Sequence, residues 1–201
     1  TSGQIGKVDT LTGTFTELAK GPFLTDIAIS GDGRLFGLDF GKLYTIDLNS
    51  GSIVPIGDLG VGNVNGLGFS ANNTLYATGG SNVYTIDLQT KKASLLSNLG
   101  SSFSSSGDLV FDSVKNRFFA TSSAGSGDRL FSIATDGTAT PIGPIGFDEV
   151  FGLTLNPSGE LLGYTSSGKQ LIINPETGAG TARNTITGIS GGITGSTEFG
   201  I

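Results

Sequence analysis

The chain has 201 residues, 36% of them hydrophobic and 14% charged, with 11 Lys and Arg against 17 Asp and Glu for a net charge of −6. It contains no Cys, His, Met or Trp, which excludes disulfide frameworks, thiol nucleophiles, Ser-His-Asp and Cys-His machinery, and imidazole or thiolate metal sites. Gly accounts for 34 residues, more than twice the usual share of about 7%, yet the apolar residues fall in short regular runs instead of being diluted as in a disordered chain.

This length suits one domain. No run approaches the roughly 18 apolar residues of a membrane helix. The basic residues are scattered along an acidic chain, so nucleic acid is not an expected partner. A start at Thr1 without an initiator Met fits a secreted protein whose signal has been removed, and an extracellular or periplasmic location is expected.

In chain order, the first recognisable piece is residues 5–13, Ile-Gly-Lys-Val-Asp-Thr-Leu-Thr-Gly, a strand running into a turn, followed by a second strand over 14–19. The next four stretches each supply a complete set of four strands. Opening strands lie at 25–30 (TDIAIS), 65–70 (NGLGFS), 107–112 (GDLVFD) and 151–156 (FGLTLN), with a degenerate fifth at 191–196 (GGITGS). Each is followed by a tight turn and a strand with a large residue before a small one: Phe36-Gly37, Tyr76-Ala77, Phe119-Ala120, Leu162-Gly163 and Phe199-Gly200.

Third strands carry a branched column of Val8, Ile46, Ile86, Ile133 and Ile173 beside Tyr44, Tyr84, Phe131 and Leu171. Fourth strands follow at 52–57 and 138–143. Four short strands per roughly 40 residues, punctuated by Gly, Asn, Asp and Ser, is the pattern of a β-propeller blade.

The phase of the repeat predicts how the ring closes. The small residues at 37, 77, 120, 163 and 200 are separated by 40, 43, 43 and 37 residues, and 38 more lead from 200 across the joined ends to 37. The expected fold is therefore all-β: a five-bladed propeller of four-stranded antiparallel blades forming a single domain, 1–201. Its blades are 22–60, 61–100, 101–146, 147–190 and a closing one built from 191–201 plus 1–21. Such closure ties both ends into a sheet and removes open edges. The small column is expected where neighbouring blades converge, so that bulk there would collide with the next blade.

The phrases at 43–51, Leu-Tyr-Thr-Ile-Asp-Leu-Asn-Ser-Gly, and 65–77, Asn-Gly-Leu-Gly-Phe-Ser-Ala-Asn-Asn-Thr-Leu-Tyr-Ala, resemble the repeats of bacterial secreted β-propeller proteins. The likeness extends over nearly the whole chain and implies a blade, while leaving function open, since related repeats serve binding, scaffolding and catalysis. Five blades also look like tachylectin-type sugar-binding propellers and five-bladed glycosidases, although neither group's functional residues match here position by position.

The lower loops, Gly31-Asp32-Gly33, Ala71-Asn72-Asn73, Pro157-Ser158-Gly159 and Asp136-Gly137, are explained by turn chemistry. Asp9, Asp47, Asp87 and Asn174 precede turns and are expected to cap them. The upper loops differ between blades, which is where specificity resides on a regular scaffold.

Candidate ligand or partner residues on that upper face are Phe23, Phe103 and Phe147, which either plug gaps over the blades or form an apolar rim, together with Asp39, Asp128, Asp148 and Glu149. Asp26 and Asp108 share one column of the opening strands, where Gly stands in the other blades. Two carboxylates at the axis resemble a glycosidase centre, which needs them about 5–10 Å apart. The expected function is a non-catalytic extracellular binding or scaffold propeller, the alternative a lectin-like carbohydrate binder, and less so a carboxylate glycosidase. No cofactor is expected beyond Ca²⁺ at the acidic loops, the partner is a protein or glycan, and the chain is taken as a monomer.

Overall fold

A computed structural model describes residues 3–198, and the protein is an all-β propeller. Eighteen strands lie among the described residues. The first sheet pairs β1 (Gly3–Val8) with β2 (Phe15–Gly21). Blade one contains β3 (Asp26–Ile29), β4 (Leu35–Asp39), β5 (Lys42–Asp47) and β6 (Ser52–Asp58), and blade two β7 (Gly66–Phe69), β8 (Leu75–Gly79), β9 (Asn82–Asp87) and β10 (Lys92–Asn98). Blade three contains β11 (Ser105–Asp112), β12 (Arg117–Ser122), β13 (Arg129–Ala134) and β14 (Ala139–Pro144). Blade four is made of β15 (Val150–Leu155), β16 (Leu161–Thr165), β17 (Lys169–Ile173) and β18 (Gly180–Thr185). All pairings between strands are antiparallel meanders.

The strands form where the sequence alternates. In β5 the buried Leu43, Tyr44 and Ile46 flank the half-buried Thr45 and the exposed Lys42 and Asp47, and blades pack face to face through such residues. Phe36, Leu38 and Leu43 of blade one meet Leu67, Leu75 and Tyr84 of blade two. Tyr76 and Val83 meet Leu109, Phe118 and Phe131 of blade three, and Phe119 and Leu130 meet Val150, Leu153 and Leu171 of blade four. Each fully buried Leu or Phe contributes roughly 1.5–3 kcal/mol.

The turns close as their side chains dictate. The Oδ1 atoms of Asp9, Asp47 and Asp87 each accept two backbone N–H groups of the turn that follows, and Asn174 does the same for Glu176 and Thr177.

The expected fifth four-stranded blade is corrected for the described residues: among them four blades are complete, and the fifth position holds the β1–β2 hairpin with a stretch of chain that makes no sheet ladder. The hairpin matches the outer half of a blade. It has the register shift, between Ile5 and Gly6, that recurs between the third and fourth strands of all four blades, a β-bulge that sharpens the local twist.

It also stands between blades four and one. Ile5 and Ala19 pack with Leu24, Leu35, Tyr44 and Ile46, while Val8 and Phe15 pack against Leu162, Tyr164 and Ile186. Thr14 bridges to Thr187, and the Phe15 N–H donates to the Thr187 carbonyl at 2.9 Å.

Residues 191–196 follow the course expected of an opening strand but pair with nothing as a ladder. Three of those six residues are Gly, which gives poor strand propensity and no side chains to pack. The Phe199-Gly200 pair expected to complete the blade lies outside the described residues.

The small column is crowded by its own blade, which corrects the expected collision with the next one. A Cβ on Gly37 would come 2.5 Å from Leu24 Cδ1 and 3.1 Å from Ile46 Cδ1, and one on Gly163 would come 2.6 Å from Ile173 Cδ1 and 3.2 Å from Val150 Cγ1. Leu24 and Val150 enter the opening strand, so the gap exists to seat the loop arriving from the previous blade. Gly163→Leu is expected to overpack this site and cost roughly 1–3 kcal/mol in a urea titration; an unchanged midpoint would show that the site can expand.

Candidate functional site

The two column carboxylates meet at the axis. Asp26 and Asp108 are each 1% exposed, and the charge of Asp108 acts on Asp26. Asp26 Oδ1 accepts the Ile27 N–H at 2.8 Å, and Oδ2 accepts the Leu67 N–H of blade two at 2.6 Å. Asp108 Oδ1 accepts the Leu109 N–H at 2.6 Å, and Oδ2 accepts the Leu153 N–H of blade four at 2.6 Å. Each acid thus fastens its own blade to the next.

Gly occupies the same column in blades two and four because there is no room for more. A Cβ on Gly66 would come 2.5 Å from the Gly107 carbonyl, and one on Gly152 2.9 Å from Ser196 Oγ.

The chain end runs down this axis. Thr194 Oγ1 donates to the Leu24 carbonyl at 2.8 Å, and Ser196 donates to Asp108 Oδ2 through N–H at 3.0 Å and Oγ at 3.2 Å. A Cβ on Gly195 would fall on the Asp26 carboxylate and 2.6 Å from its Cα. Below, a cavity of about 140 Å³ remains, lined in part by Ala28, Leu67, Leu109, Leu155 and Glu198.

Burial disfavours charge here. It pushes the Asp108 carboxyl up to about 7 against the pull of its N–H donors. Burial, reinforced by the charge of Asp108, holds Asp26 well above the ordinary carboxylate range. All four oxygens are engaged by the protein, and the terminal segment covers the pair. This arrangement ties blades together and spends the carboxylate oxygens on donors of the protein itself.

A different cleft opens on the upper face between blades three and four. Its volume is about 340 Å³, and Ser105, Ser106, Asp128, Asp148, Glu149 and Phe151 line it. Asp128 starts from the loop before β13, is 3% exposed, and holds the blades together through Oδ2, which accepts Ser106 Oγ at 2.9 Å and the Val150 N–H at 2.7 Å. Burial raises its carboxyl, and the neighbouring charges of Asp148 and Glu149 raise it further. Glu149 has a left-handed backbone, φ 55°, and its carboxylate accepts Ser166 Oγ. No group of three or more acidic side chains among the described residues converges to hold a metal ion.

The structure distributes the other candidates unevenly. Phe103 is 1% exposed and packs edge-on to Phe131 at 5.2 Å, so it plugs the core between blades two and three and forms no rim. Phe147 is half-buried on the blade-four core, with Lys169 Nζ 5.7 Å from its ring centroid. Phe23 stays 42% exposed and stacks on Phe40, itself 50% exposed, at 6.5 Å and 23° between planes.

Sequence reasoning passed over Phe40. It occupies the repeat position held by Gly80 in blade two, and both have positive φ, 39° and 55°. A bulky residue there is strained, and the mismatch with its repeat partner is the signal that would have found it. Asp39 sits beside Tyr44 and raises its hydroxyl, after burial. Asp39 is thus apart from the cleft that gathers Asp128, Asp148 and Glu149.

No protein-family model matches the chain, and no curated protein does. Solved structures do. A Bacteroides thetaiotaomicron protein of unknown function aligns with TM-score 0.62 at 16% identity, over 86% of this chain and 51% of that one. A chain of a nidogen/laminin complex aligns with TM-score 0.69 at 14% identity, over 92% and 73%. A gluconolactonase from Xanthomonas campestris aligns with TM-score 0.63 at 12% identity, over 90% and 67%. The likeness is one of fold. This chain spans about half the length of the first of these propellers, and their roles range from complex formation to catalysis.

Proposed function

We propose that this chain is a non-catalytic binding or scaffold propeller, acting as a monomer outside the cytoplasm, that engages a protein through its variable upper face. The observation that carries this reading is the contrast between the two faces. The lower turns are accounted for by their own capping hydrogen bonds. The upper face holds an acidic cleft and an exposed aromatic pair.

The filled axis supports the non-catalytic part, because the buried carboxylate pair serves the blades and the terminal segment. One observation favours a second reading, carbohydrate binding: the near-parallel Phe23–Phe40 pair offers a flat apolar platform of the kind on which sugar rings stack.

Array binding with the labelled full chain, on extracellular proteins and on glycans, with and without Ca²⁺, tests both. Binding is expected to fall when Phe23 and Phe40 are both replaced by Ser or when Asp148→Asn is introduced, and to survive Lys115→Ala on the lower face. Loss with the lower-face variant alone would overturn the upper-face reading, and glycan binding abolished only by the Phe pair would select the second.

A further inference from the structure

We propose that the cavity at the lower end of the axis is a binding site for a small quaternary ammonium cation of the choline type. The inference goes beyond the upper-face reading and rests on different residues.

The opening strands of all four complete blades converge on this cavity. Near its end each contributes one half-buried apolar side chain to the wall: Ile29, Phe69, Phe111 and Leu155. Two of the four are aromatic, and a second ring holds each in place. Phe36 lies 5.4 Å from Phe69 and Phe118 lies 4.8 Å from Phe111, between ring centroids. The terminal segment adds Ser196 and Thr197 to the lining, together with one acid, Glu198.

Glu198 supplies the charge. It forms no ion pair among the described residues, and no Lys or Arg among them lines the cavity. Burial raises its carboxyl, and no hydrogen-bond donor or cation pulls it back down. A carboxylate held partly out of water without a partner gains from a cation.

The kind of cation follows from the walls. Aromatic faces attract positive charge, but the blade side chains offer no acceptor. A primary ammonium or a guanidinium would give up water around N–H groups that the blades do not replace. A quaternary ammonium has no N–H to satisfy, and its methyl groups suit Ile29 and Leu155. A metal ion needs several oxygen ligands, and no three acidic side chains converge among the described residues. The volume of about 140 Å³ is close to that of a cavity of about 150 Å³ that admits benzene. Sites for larger ligands start at roughly 300 Å³, so one small head group is the fitting occupant. The overall charge of −6 draws a cation toward the protein.

Isothermal titration of the full chain with choline chloride tests this, with 3,3-dimethylbutan-1-ol as the neutral isostere and CaCl₂ as the metal probe. Choline should bind, and the isostere should bind about tenfold or more weakly, as should choline to Glu198→Gln or Phe111→Leu. Thermal melts show whether Phe111→Leu, which also loses packing on Phe118, stays folded; Glu198→Gln should melt like the wild type. Co-sedimentation with phosphatidylcholine vesicles separates the two sources of the group. Wild type that sediments while Glu198→Gln does not assigns it to a lipid, and choline binding without sedimentation assigns it to a free solute.

Equal affinity for the isostere, no choline binding at millimolar concentration, Ca²⁺ that displaces choline, or unchanged choline affinity in Glu198→Gln would each overturn the proposal. Glu198→Gln should leave array binding through the upper face intact, so the two readings fail separately.

Discussion

Asp108→Ala is expected to destabilise the protein by about 3–5 kcal/mol, the usual consequence of stripping one partner from a buried charged network. Four donors lose their acceptor together: the N–H groups of Leu109, Leu153 and Ser196, and Ser196 Oγ. Two of these residues belong to other parts of the ring, Leu153 to blade four and Ser196 to the terminal segment, so the variant loosens an interblade joint and the axial closure at once. Asp108→Asn keeps one oxygen for the Leu153 and Ser196 donors and should lose less. Urea denaturation separates these outcomes. A loss below about 1 kcal/mol for the Ala variant would mean that water satisfies the stranded donors, so that the axis is wet.

Stability should fall as pH rises from about 4.5 to 8. The sign follows from the proton balance. The unfolded chain gives up its Asp protons around the ordinary value of 3.8, while the folded chain keeps the Asp108 proton up to about 7, and burial raises the Asp26 carboxyl in the same direction. Between those limits the folded state binds more protons, so each increment in pH favours unfolding. For Asp108 alone the full shift corresponds to roughly 4 kcal/mol.

The exposed turn acids act in the opposite sense. Hydrogen bonds from turn N–H groups and hydroxyls hold Asp9, Asp47, Asp87 and Asp136 below the ordinary value. Their contribution is present above about pH 4 and is lost below it. The result is a stability maximum in mild acid. Urea midpoints at pH 5, 7 and 9 should decline in that order, and Asp26→Asn should flatten the decline, since an amide cannot ionise. Midpoints that rise from pH 5 to 7 would contradict the buried pair as described.

The repeat was legible because its information is spread over many positions. Ile46, Ile86, Ile133 and Ile173 pack the blades whatever any single loop does, and Asp47 and Asp87 cap turns by contacts two and three residues away. The closing unit was harder. Residues 191–196 align with the opening strands, yet Asp108 and the Leu24 carbonyl take the hydrogen bonds of Ser196 and Thr194. A ladder and a side-chain tether compete for the same groups, and alignment does not decide between them.

Of the two readings open for Phe103, the plug over the blades is the one the structure shows. It lies in a connection, where exposure is the default, but the short 3-10 turn at Gly100–Ser102 folds the chain back and drops the ring into the core. Asp26 and Asp108 stood out as a column, whereas their contact across the axis is long-range and invisible to a local pattern. The cleft mixes pieces of β11, the loop before β13 and the loop before β15, and nothing in the repeat brings those together on paper.

The assignment of function to the upper face depends on the axis being filled by the chain's own residues 194–198. Residue-resolved hydrogen exchange of the Ser196 and Leu153 amides tests that most directly. Both are expected to be protected to the level of global unfolding, because each donates to the buried Asp108 carboxylate. Exchange of Ser196 at the rate of a free amide, with the blade cores still protected, would mean that the segment leaves the channel and that the axis, rather than the upper cleft, is the open site.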